Sequence, residues 1–374
     1  MARVRRIALG LLVLLVAYLL LWPVSLAPVA WRAPASAGYV GPHARNERLA
    51  AARLGSIAPD TGPEHIAFGP DGRLYTGTLS GKVLRMRPDG SEREVYVETG
   101  GRPLGLDFTA DGTLVVADAF RGLLAVGADR QVRVLADQVN GSPILFADAV
   151  IVGPDGRMLL TDASQRLGAR RYGTFDASVL DILEHSCTGR VLEFDPTQGT
   201  TRELVTGLCF PNGLAWSADG THYFVAETGE YRIWKFARDA AGLDARQLAG
   251  GADPRARVVL ANLPGFPDNL TRDAAGRLWT GFTKPRSPMV DFMADKPLLR
   301  TMTLRLPKAL WPVPAPYGHV IAFDEDGHVL ADLQDPAGGL PETSGATEHD
   351  GRLYVQCLHA AAYGIVDLSA AGIP

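Results

Sequence analysis

The chain has 374 residues, of which 37 are basic and 41 acidic, so its formal net charge is −4 at pH 7. This weakly acidic balance argues against nucleic acid as a partner. The three cysteines, Cys187, Cys209 and Cys357, lack the paired spacing of a structural zinc site, which leaves one disulfide or buried free thiols as the alternatives.

The N-terminal segment is uncharged over residues 7–31 and follows three arginines. About twenty helical residues span the hydrocarbon core of a bilayer, so we predict a cytoplasmic tip and transmembrane signal anchor over 1–31 and a linker over 32–50. The arginines place the N-terminus in the cytoplasm and the remainder on the extracytoplasmic or lumenal side. A signal peptide cleaved after the small residues at 35–37 is the alternative.

The rest of the chain repeats one pattern six times: an apolar run, a turn usually spelled Asp-Gly, and a second apolar run. Such a turn between apolar runs indicates a β-hairpin, and a period near 40 residues is typical of propeller blades. We therefore predict that residues 51–374 form an all-β, six-bladed β-propeller, with a strand near 50–58 closing the ring. The predicted blades are 62–100, 101–140, 141–209, 210–263, 264–338 and 339–374.

Two blades contain insertions, about residues 164–188 and 285–316. We expect them to fold over one end of the propeller as short helices and loops. Long loops on a rigid scaffold commonly carry binding specificity.

The first strand of each blade lines the central shaft of a propeller, and five of the six predicted first strands begin with an oxygen-bearing side chain. Carboxylates that converge in a dry shaft repel one another unless a cation neutralises them. Oxygen ligands suit Ca²⁺, so we predict one calcium ion in the shaft; a hydrated shaft without an ion is the alternative. The predicted ligands are Glu64, Asn212, Asp268 and Asn269, with Asp148 beside them.

His359 is the histidine that the repeat places on the ligand face, because it follows the second strand of the last blade. His65, His222 and His349 fall inside the repeats, where we expect structural roles. The chain has neither a Gly-x-Ser-x-Gly nucleophile motif nor a glycine-rich phosphate loop after a strand.

Six short motifs stand out along the repeats: Gly62-Pro63-Glu64, Arg102-Pro103-Leu104-Gly105-Leu106, Val116 to Leu123, Phe210-Pro211-Asn212-Gly213, Pro264 to Asn269 and Glu348-His349-Asp350-Gly351. Together these motifs resemble the strictosidine synthase-like family. The resemblance covers about residues 55–370 and extends to a superfamily with gluconolactonase and paraoxonase, six-bladed calcium hydrolases. It implies the same metal ligands, Glu64, Asn212, Asp268 and Asn269.

The chain also departs from these relatives. The catalytic glutamate of strictosidine synthase falls on Ser344, and Glu342 lies two positions away. The paraoxonase histidine of the second blade falls on Leu104, and an asparagine usual in the third blade is Ala147, beside Asp148. Condensation of an amine with an aldehyde is therefore not expected.

Three functions remain. The first is a calcium-dependent hydrolase of a small-molecule ester or lactone, in which Asp148 or His359 takes a proton and Glu342 is dispensable. The second is a strictosidine synthase-like carbon–nitrogen lyase that uses Glu342 as its acid. The third is a membrane-tethered binding propeller whose ion is structural.

Overall fold

The computed structural model describes residues 1–248 and 253–373 of the chain. It begins with α1 (Ala2–Leu21), a helix that the rest of the molecule leaves uncovered. Within the described residues, Arg3–Leu21 is the one helical segment long and apolar enough to cross a membrane, with a mean hydropathy of 2.2. A signal sequence would share these two properties.

The remaining elements are mostly short strands. In chain order the strands are β1 (Arg53–Ser56), β2 (Ile66–Phe68), β3 (Leu74–Gly77), β4 (Lys82–Met86), β5 (Glu94–Glu98), β6 (Pro103–Phe108), β7 (Leu114–Asp118), β8 (Gly122–Val126), β9 (Val132–Ala136), β10 (Gln138–Val139), β11 (Ser142–Pro143), β12 (Ala147–Val152), β13 (Met158–Asp162), β14 (Gly189–Asp195), β15 (Thr200–Leu208), β16 (Pro211–Trp216), β17 (His222–Glu227), β18 (Arg232–Ala237), β19 (Leu243–Asp244), β20 (Ala256–Leu260), β21 (Gly265–Arg272), β22 (Leu278–Pro285), β23 (Gly318–Phe323), β24 (Val329–Asp335), β25 (Thr343–His349), β26 (Arg352–Cys357) and β27 (Ala362–Asp367). The helices after α1 are α2 (Ala169–Tyr172), α3 (Thr174–Glu184), α4 (Ala245–Leu248), α5 (Pro288–Phe292) and α6 (Pro297–Thr303).

Six sheets of four or five strands form the blades. They are β2–β5, β6–β9, β12–β15 with β19, β16–β18 with β20, β21–β24, and β25–β27 with β1. The first strands β2, β6, β12, β16, β21 and β25 contact one another in a closed ring. The prediction of a six-bladed β-propeller is confirmed. Each sheet falls within its predicted blade except for two strands: β19 lies in the predicted fourth blade but pairs with β15 of the third, and β1 precedes the blades and joins the last one.

The ring closes by pairing the two ends of the chain, as the sequence predicts for the strand near 50–58. Strand β1 is antiparallel to β27, with Arg53 opposite Ile365 and Ser56 opposite Ala362. The last blade therefore depends on residues more than 300 positions apart in sequence, and it cannot complete until both ends are present.

The core consists of apolar layers between neighbouring blades. Val83 and Val97 of the first blade pack on Leu114 and Leu124 of the second, and all four are buried. Full burial of each such side chain contributes roughly 1.5–3 kcal/mol to the free energy of unfolding. The turns that join the paired strands rely on glycine, as at Gly112, where φ is 82°.

The two insertions fold as short helices, as expected. That of the third blade contains α2 and α3, and a disulfide between Cys187 and Cys209 ties its end to the end of β15. Cys357 is a buried free thiol, so both alternatives that the sequence leaves open are present in one molecule. The insertion of the fifth blade contains α5 and α6.

Residues 32–50, which we predicted as a linker, lie along the propeller and bond to it. Arg286 donates to the carbonyl of Pro34 at 2.5 Å, and Asn46 donates to Asp332 at 3.0 Å. Leu49 is fully buried. This segment is a strap bonded to the fifth blade, so the path from α1 to the propeller is defined.

Candidate metal centre

A break in strand register places a side chain in the shaft at the start of most blades. The pairing of β12 with β13 shifts between Ala147 and Val150, and the pairing of β16 with β17 shifts between Pro211 and Leu214. The pairing of β21 with β22 shifts between Pro267 and Leu270. A bulge re-aims the side chain within it. Asp148, Asn212, Asp268 and Asn269 all lie in such breaks.

Neighbouring first strands approach closely at these breaks. A Cβ atom on Gly213 would lie 2.2 Å from the backbone nitrogen of Leu270, inside van der Waals contact. Glycine after Asn212 therefore lets β16 and β21 come close enough for their polar side chains to share one space.

Four polar residues from four blades line one cavity at the top of the shaft, which we call the shaft cavity: Glu64, Asp148, Asn212 and Asp268. All four are at most 4% exposed. Asn212 donates from Nδ2 to Asp148 at 3.4 Å. Asn269 lies beside this group and donates to Oε1 of Glu64 at 2.8 Å.

The electrostatics of the group are unfavourable for three bare carboxylates. Burial, followed by the charge of Glu64, raises the pKa of Asp148 well above its ordinary value. Burial and the charges of Glu64 and Asp148 do the same to the pKa of Asp268, and burial also raises the pKa of Glu64. Each carboxylate therefore favours a proton or a cation as its partner.

Arg102 provides one compensating charge. It is 2% exposed, and burial lowers its pKa to about 10, while the charges of Glu64, Asp148 and Asp118 oppose this. With the three carboxylates ionised and the Arg102 guanidinium charged, these four groups of the cavity have a net charge of −2. A divalent cation would neutralise it.

The donor atoms fit a hard cation. Glu64 Oε2, Asn212 Oδ1 and Asp268 Oδ1 are buried and have no hydrogen-bond partner. Carboxylate and amide oxygens are the ligands that Ca²⁺ prefers. Buried polar atoms are ordinarily paired, so three unpaired oxygens around one cavity need a partner, and their chemistry fits that of ligands to a cation.

A second polar group lies at the mouth of the shaft. Nδ1 of His359 is 2.6 Å from Oε2 of Glu342, and Nζ of Lys284 is 2.8 Å from Oε1 of the same carboxylate. Although burial acts to raise it, the bonds from His359 and Lys284 lower the pKa of Glu342 to about 2. Glu342 is thus held as an anion, and it adopts a positive φ of 54°.

His359 belongs to both the mouth and the shaft cavity, which it lines together with Glu64 and Asp148. Phe175 of α3 packs edge-on against its ring, with 5.4 Å between centroids. In the tautomer that carries its proton on Nδ1, His359 donates to Glu342 and keeps Nε2 free to accept a proton.

The two insertions build an apolar pocket beside the shaft cavity. Its walls include Phe175, Ile182, Phe266, Val313 and Leu358, and Lys284 and Glu342 lie at its edge. Phe175, Ile182 and Leu358 also line the shaft cavity, so the two spaces adjoin. A ligand that reached the polar cavity would rest its apolar part here.

The structure therefore brings Glu64, Asp148, Asn212, Asp268 and His359 to one cavity. Asn269 stands next to it, and Glu342 lies at the mouth. Ser344, which takes the place of the strictosidine synthase glutamate, is fully buried and donates its hydroxyl to the carbonyl of Glu64.

Two of the three histidines expected to be structural contact residues of neighbouring blades. His65 accepts the backbone N–H of Leu106 at 3.1 Å, and burial lowers its pKa to about 4. His349 stacks on Phe68 with 3.8 Å between ring centroids.

Arg102 is a residue of the site that the sequence does not single out, although a charged residue at the edge of the buried run 103–106 is a signal for a functional side chain. Lys284, near the end of β22, occupies a position that the repeat places on the ligand face, but its pairing with Glu342 has no signal in the sequence.

Two further groups of side chains in the described part of the chain have the composition of a metal site. In one, the sulfurs of Cys187 and Cys209 are joined in the disulfide. In the other, Asp332 accepts from both His43 and His319 at 2.9 Å. The buried atoms without a hydrogen-bond partner in these two groups are ring nitrogens, Nδ1 of His185 and of His319, whereas the shaft cavity has three such oxygens.

Comparison with known proteins agrees with this architecture. Residues 41–86 match the family described as strictosidine synthase-like, N-terminal, and residues 74–305 match the SMP-30/gluconolactonase/LRE-like region. Protein STRICTOSIDINE SYNTHASE-LIKE 6 of Arabidopsis thaliana is 32% identical over 300 residues, covering 78% of this chain and 76% of the relative. The human adipocyte plasma membrane-associated protein is 32% identical over 320 residues, covering 79% and 72%.

Solved structures show the same fold. A gluconolactonase from Xanthomonas campestris superposes with a TM-score of 0.60 at 22% identity and covers 92% of this chain and 98% of its own. The calcium-binding protein regucalcin from Agrobacterium tumefaciens superposes with a TM-score of 0.57 at 16% identity, covering 84% and 93%. At these identities the likeness concerns the fold.

Proposed function

This chain belongs to the strictosidine synthase-like family within the SMP-30/gluconolactonase-like propellers, and on that premise we propose that it is a membrane-anchored, calcium-dependent hydrolase of esters or lactones. The observation that carries the proposal is the shaft cavity. It contains three buried carboxylates, and one oxygen each of Glu64, Asn212 and Asp268 has no hydrogen-bond partner there. The name gluconolactonase on a protein of the same fold supports the lactone side of the proposal.

The residues that would hold the ion are Glu64, Asp148, Asn212 and Asp268, with Asn269 fixing the carboxylate of Glu64. Bound calcium would polarise the ester carbonyl and stabilise the negative charge that develops on its oxygen. Arg102 adds a fixed positive charge to the same cavity, and this favours a substrate that gains negative charge during the reaction.

The proton transfer falls to His359. Its Nε2 accepts the proton of the attacking water, and Glu342 orients the ring and stabilises the positive charge that the imidazole acquires. Lys284 keeps Glu342 ionised. Asp148 is the other candidate base, but in this assignment it serves as a ligand.

The apolar pocket would receive the acyl chain or ring of the substrate, and the proposed partner is therefore a small molecule with an apolar part. Without the first 31 residues the chain carries 34 basic and 41 acidic residues, which disfavours nucleic acid.

Membrane anchoring is the other half of the proposal. Helix α1 has the length and composition of a span, and a relative is named as plasma membrane-associated. The arginines that precede it favour a cytoplasmic N-terminus and an extracytoplasmic propeller. The Cys187–Cys209 disulfide supports this orientation, since disulfides persist in oxidising compartments.

The test is hydrolysis of phenyl acetate and a panel of lactones by the full-length protein in detergent, with calcium and with a chelator. We expect activity that the chelator abolishes and calcium restores. Hydrolysis unaffected by chelator would contradict the calcium requirement. Calcium binding without hydrolysis of any member of the panel would favour the binding propeller.

A further inference from the structure

Exposed large apolar side chains concentrate in the insertion of the fifth blade. Met289, Phe292, Leu298, Leu310 and Val313 are each 38–64% exposed. Elsewhere on the described part of the propeller such side chains are scattered, as with Leu330 on β24 and Leu54 on β1. A cluster of this kind marks a surface that contacts something apolar.

Three of these five side chains line one depression, which we call the surface groove. Met289, Leu310 and Val313 line it together with Met293 and Leu306. Val313 also lines the apolar pocket, which adjoins the shaft cavity. The groove is therefore the outer end of a series of adjoining spaces that leads to the candidate metal centre.

The last turn of α1 bonds to the same insertion. Arg305 donates from Nε to the carbonyl of Trp22 at 2.6 Å and from Nη1 to the carbonyl of Leu19 at 2.5 Å. The hydroxyl of Tyr18 donates to the carbonyl of Arg305 at 2.9 Å. Tyr and Trp at the end of a span are typical of the membrane interface, so Arg305 lies at that level.

The connection between α1 and the propeller is short, and it would hold the end of α1 near the insertions even without these three bonds. The span ends at Leu21, and the backbone N–H of Ala27 already donates to Glu184 at the end of α3. Six residues reach about 20 Å at most. Beyond them, Val29 bonds to the carbonyl of Glu184 and receives a bond from Arg300 of α6. Both insertions are thus held next to the end of the span.

We propose that the insertion of the fifth blade docks on the bilayer that holds α1, so that the mouth of the shaft faces the lipid surface. Lys296 and Lys308 flank the apolar side chains, and Lys296 lies over the ring of Phe292 at 4.4 Å. Lysines beside apolar and aromatic side chains are characteristic of surfaces that lie in the interface of a membrane. The proposal rests on the membrane anchor of the proposed function and not on its chemistry.

The experiment compares two leucines of similar exposure in the full-length protein. Leu310 is 64% exposed in the insertion, whereas Leu330 is 55% exposed on β24. Val329 of β24 pairs with Phe323 and Asp335 with Gly318, so Leu330 lies at the end of the blade away from the mouth. Leu310→Cys and Leu330→Cys are each labelled with the fluorophore NBD and reconstituted in phosphatidylcholine–phosphatidylglycerol vesicles. The unsubstituted protein serves as the labelling control, since Cys357 is buried.

We expect NBD at position 310 to emit at shorter wavelength and to be quenched severalfold more by doxyl-labelled lipid than NBD at 330, with the reverse order for aqueous iodide. Phe292→Cys should behave like Leu310→Cys. If the protein resists carbonate extraction but NBD is quenched equally at 310, 292 and 330, the docking proposal is wrong and the membrane anchor stands. Release of the protein by carbonate would overturn the anchor and the docking with it, while the hydrolase assay stands apart from both.

Discussion

Nδ1 of His359 and Oε2 of Glu342 lie 2.6 Å apart, because the antiparallel pairing of β25 with β26 brings the residues before and after this hairpin to the same end of the last blade. Lys284 of the neighbouring blade fixes the other oxygen of the carboxylate. The sequence alone gives Glu342 a role only in a lyase and expects hydrolysis to survive its removal. The contact reverses that expectation, because Glu342 now determines the orientation and the tautomer of the proposed base.

The first prediction concerns this pair. Replacing His359 by Gln should lower kcat/KM for ester cleavage by roughly 10²–10⁴, the usual contribution of a general base. Glu342→Gln should cause a smaller loss and shift the pH profile of kcat/KM, because the imidazolium loses its stabilising charge. Glu98→Gln, at an exposed position of β5, is the matched control and should leave the profile unchanged. An unaltered profile in Glu342→Gln would contradict the positioning role.

The second prediction concerns the ion. Glu64→Gln and Asp268→Asn each remove the charge of one of three buried carboxylates. Loss of a group that only hydrogen-bonds to a metal ligand lowers metal affinity by about ten- to a hundredfold. Calcium affinity measured by calorimetry should therefore fall by at least about tenfold in each variant. Asp350→Asn removes the same charge from a side chain that is 90% exposed and should bind calcium normally.

The same variants give a stability readout. Calcium should raise the melting temperature of the unsubstituted protein, because a ligand bound only by the folded state stabilises it. The shift should shrink in Glu64→Gln. A melting curve that does not respond to calcium or chelator would favour a hydrated shaft.

The third prediction concerns condensation chemistry. Ser344 is buried against the carbonyl of Glu64, and Glu342 is held ionised by His359 and Lys284, so neither residue offers a carboxylic acid at the mouth. The protein should fail to condense tryptamine with an aldehyde while it cleaves esters. Condensation that disappears in Glu342→Ala would favour the lyase.

The fourth prediction concerns pH. Burial is the main cause that raises the pKa of Asp181 in α3 to about 7. The folded protein therefore holds this proton more tightly than the unfolded chain. The contribution of Asp181 to stability is fully present below about pH 4 and is lost as the pH rises toward 7. Asp181→Asn should remove that slope and stabilise the protein at pH 8 by about 1–4 kcal/mol, measured by urea unfolding. Asp176→Asn, on the same helix, should retain the slope.

The blades and the positions from which side chains enter the shaft can be predicted from the amino-acid sequence alone. Strand alternation and the Asp-Gly turns are local features, and the distance from a turn to the start of its strand is fixed by the rise per residue. Counting back from each turn therefore located Glu64, Asp148, Asn212 and Asp268, which the structure brings to one cavity.

Which of these side chains have partners and which remain unpaired depends on the folded structure. Arg102 enters the cavity from the second blade, and Lys284 of the fifth blade pairs with Glu342 of the last. The Cys187–Cys209 disulfide joins an insertion to the end of β15 within one blade. The strap over 32–50 and the bonds of Arg305 to the end of α1 also depend on the folded structure. Local sequence patterns therefore predict where a strand begins and which face its side chains occupy. The contacts of those side chains also depend on bulges, insertions and neighbouring sheets, which involve residues far apart in the sequence.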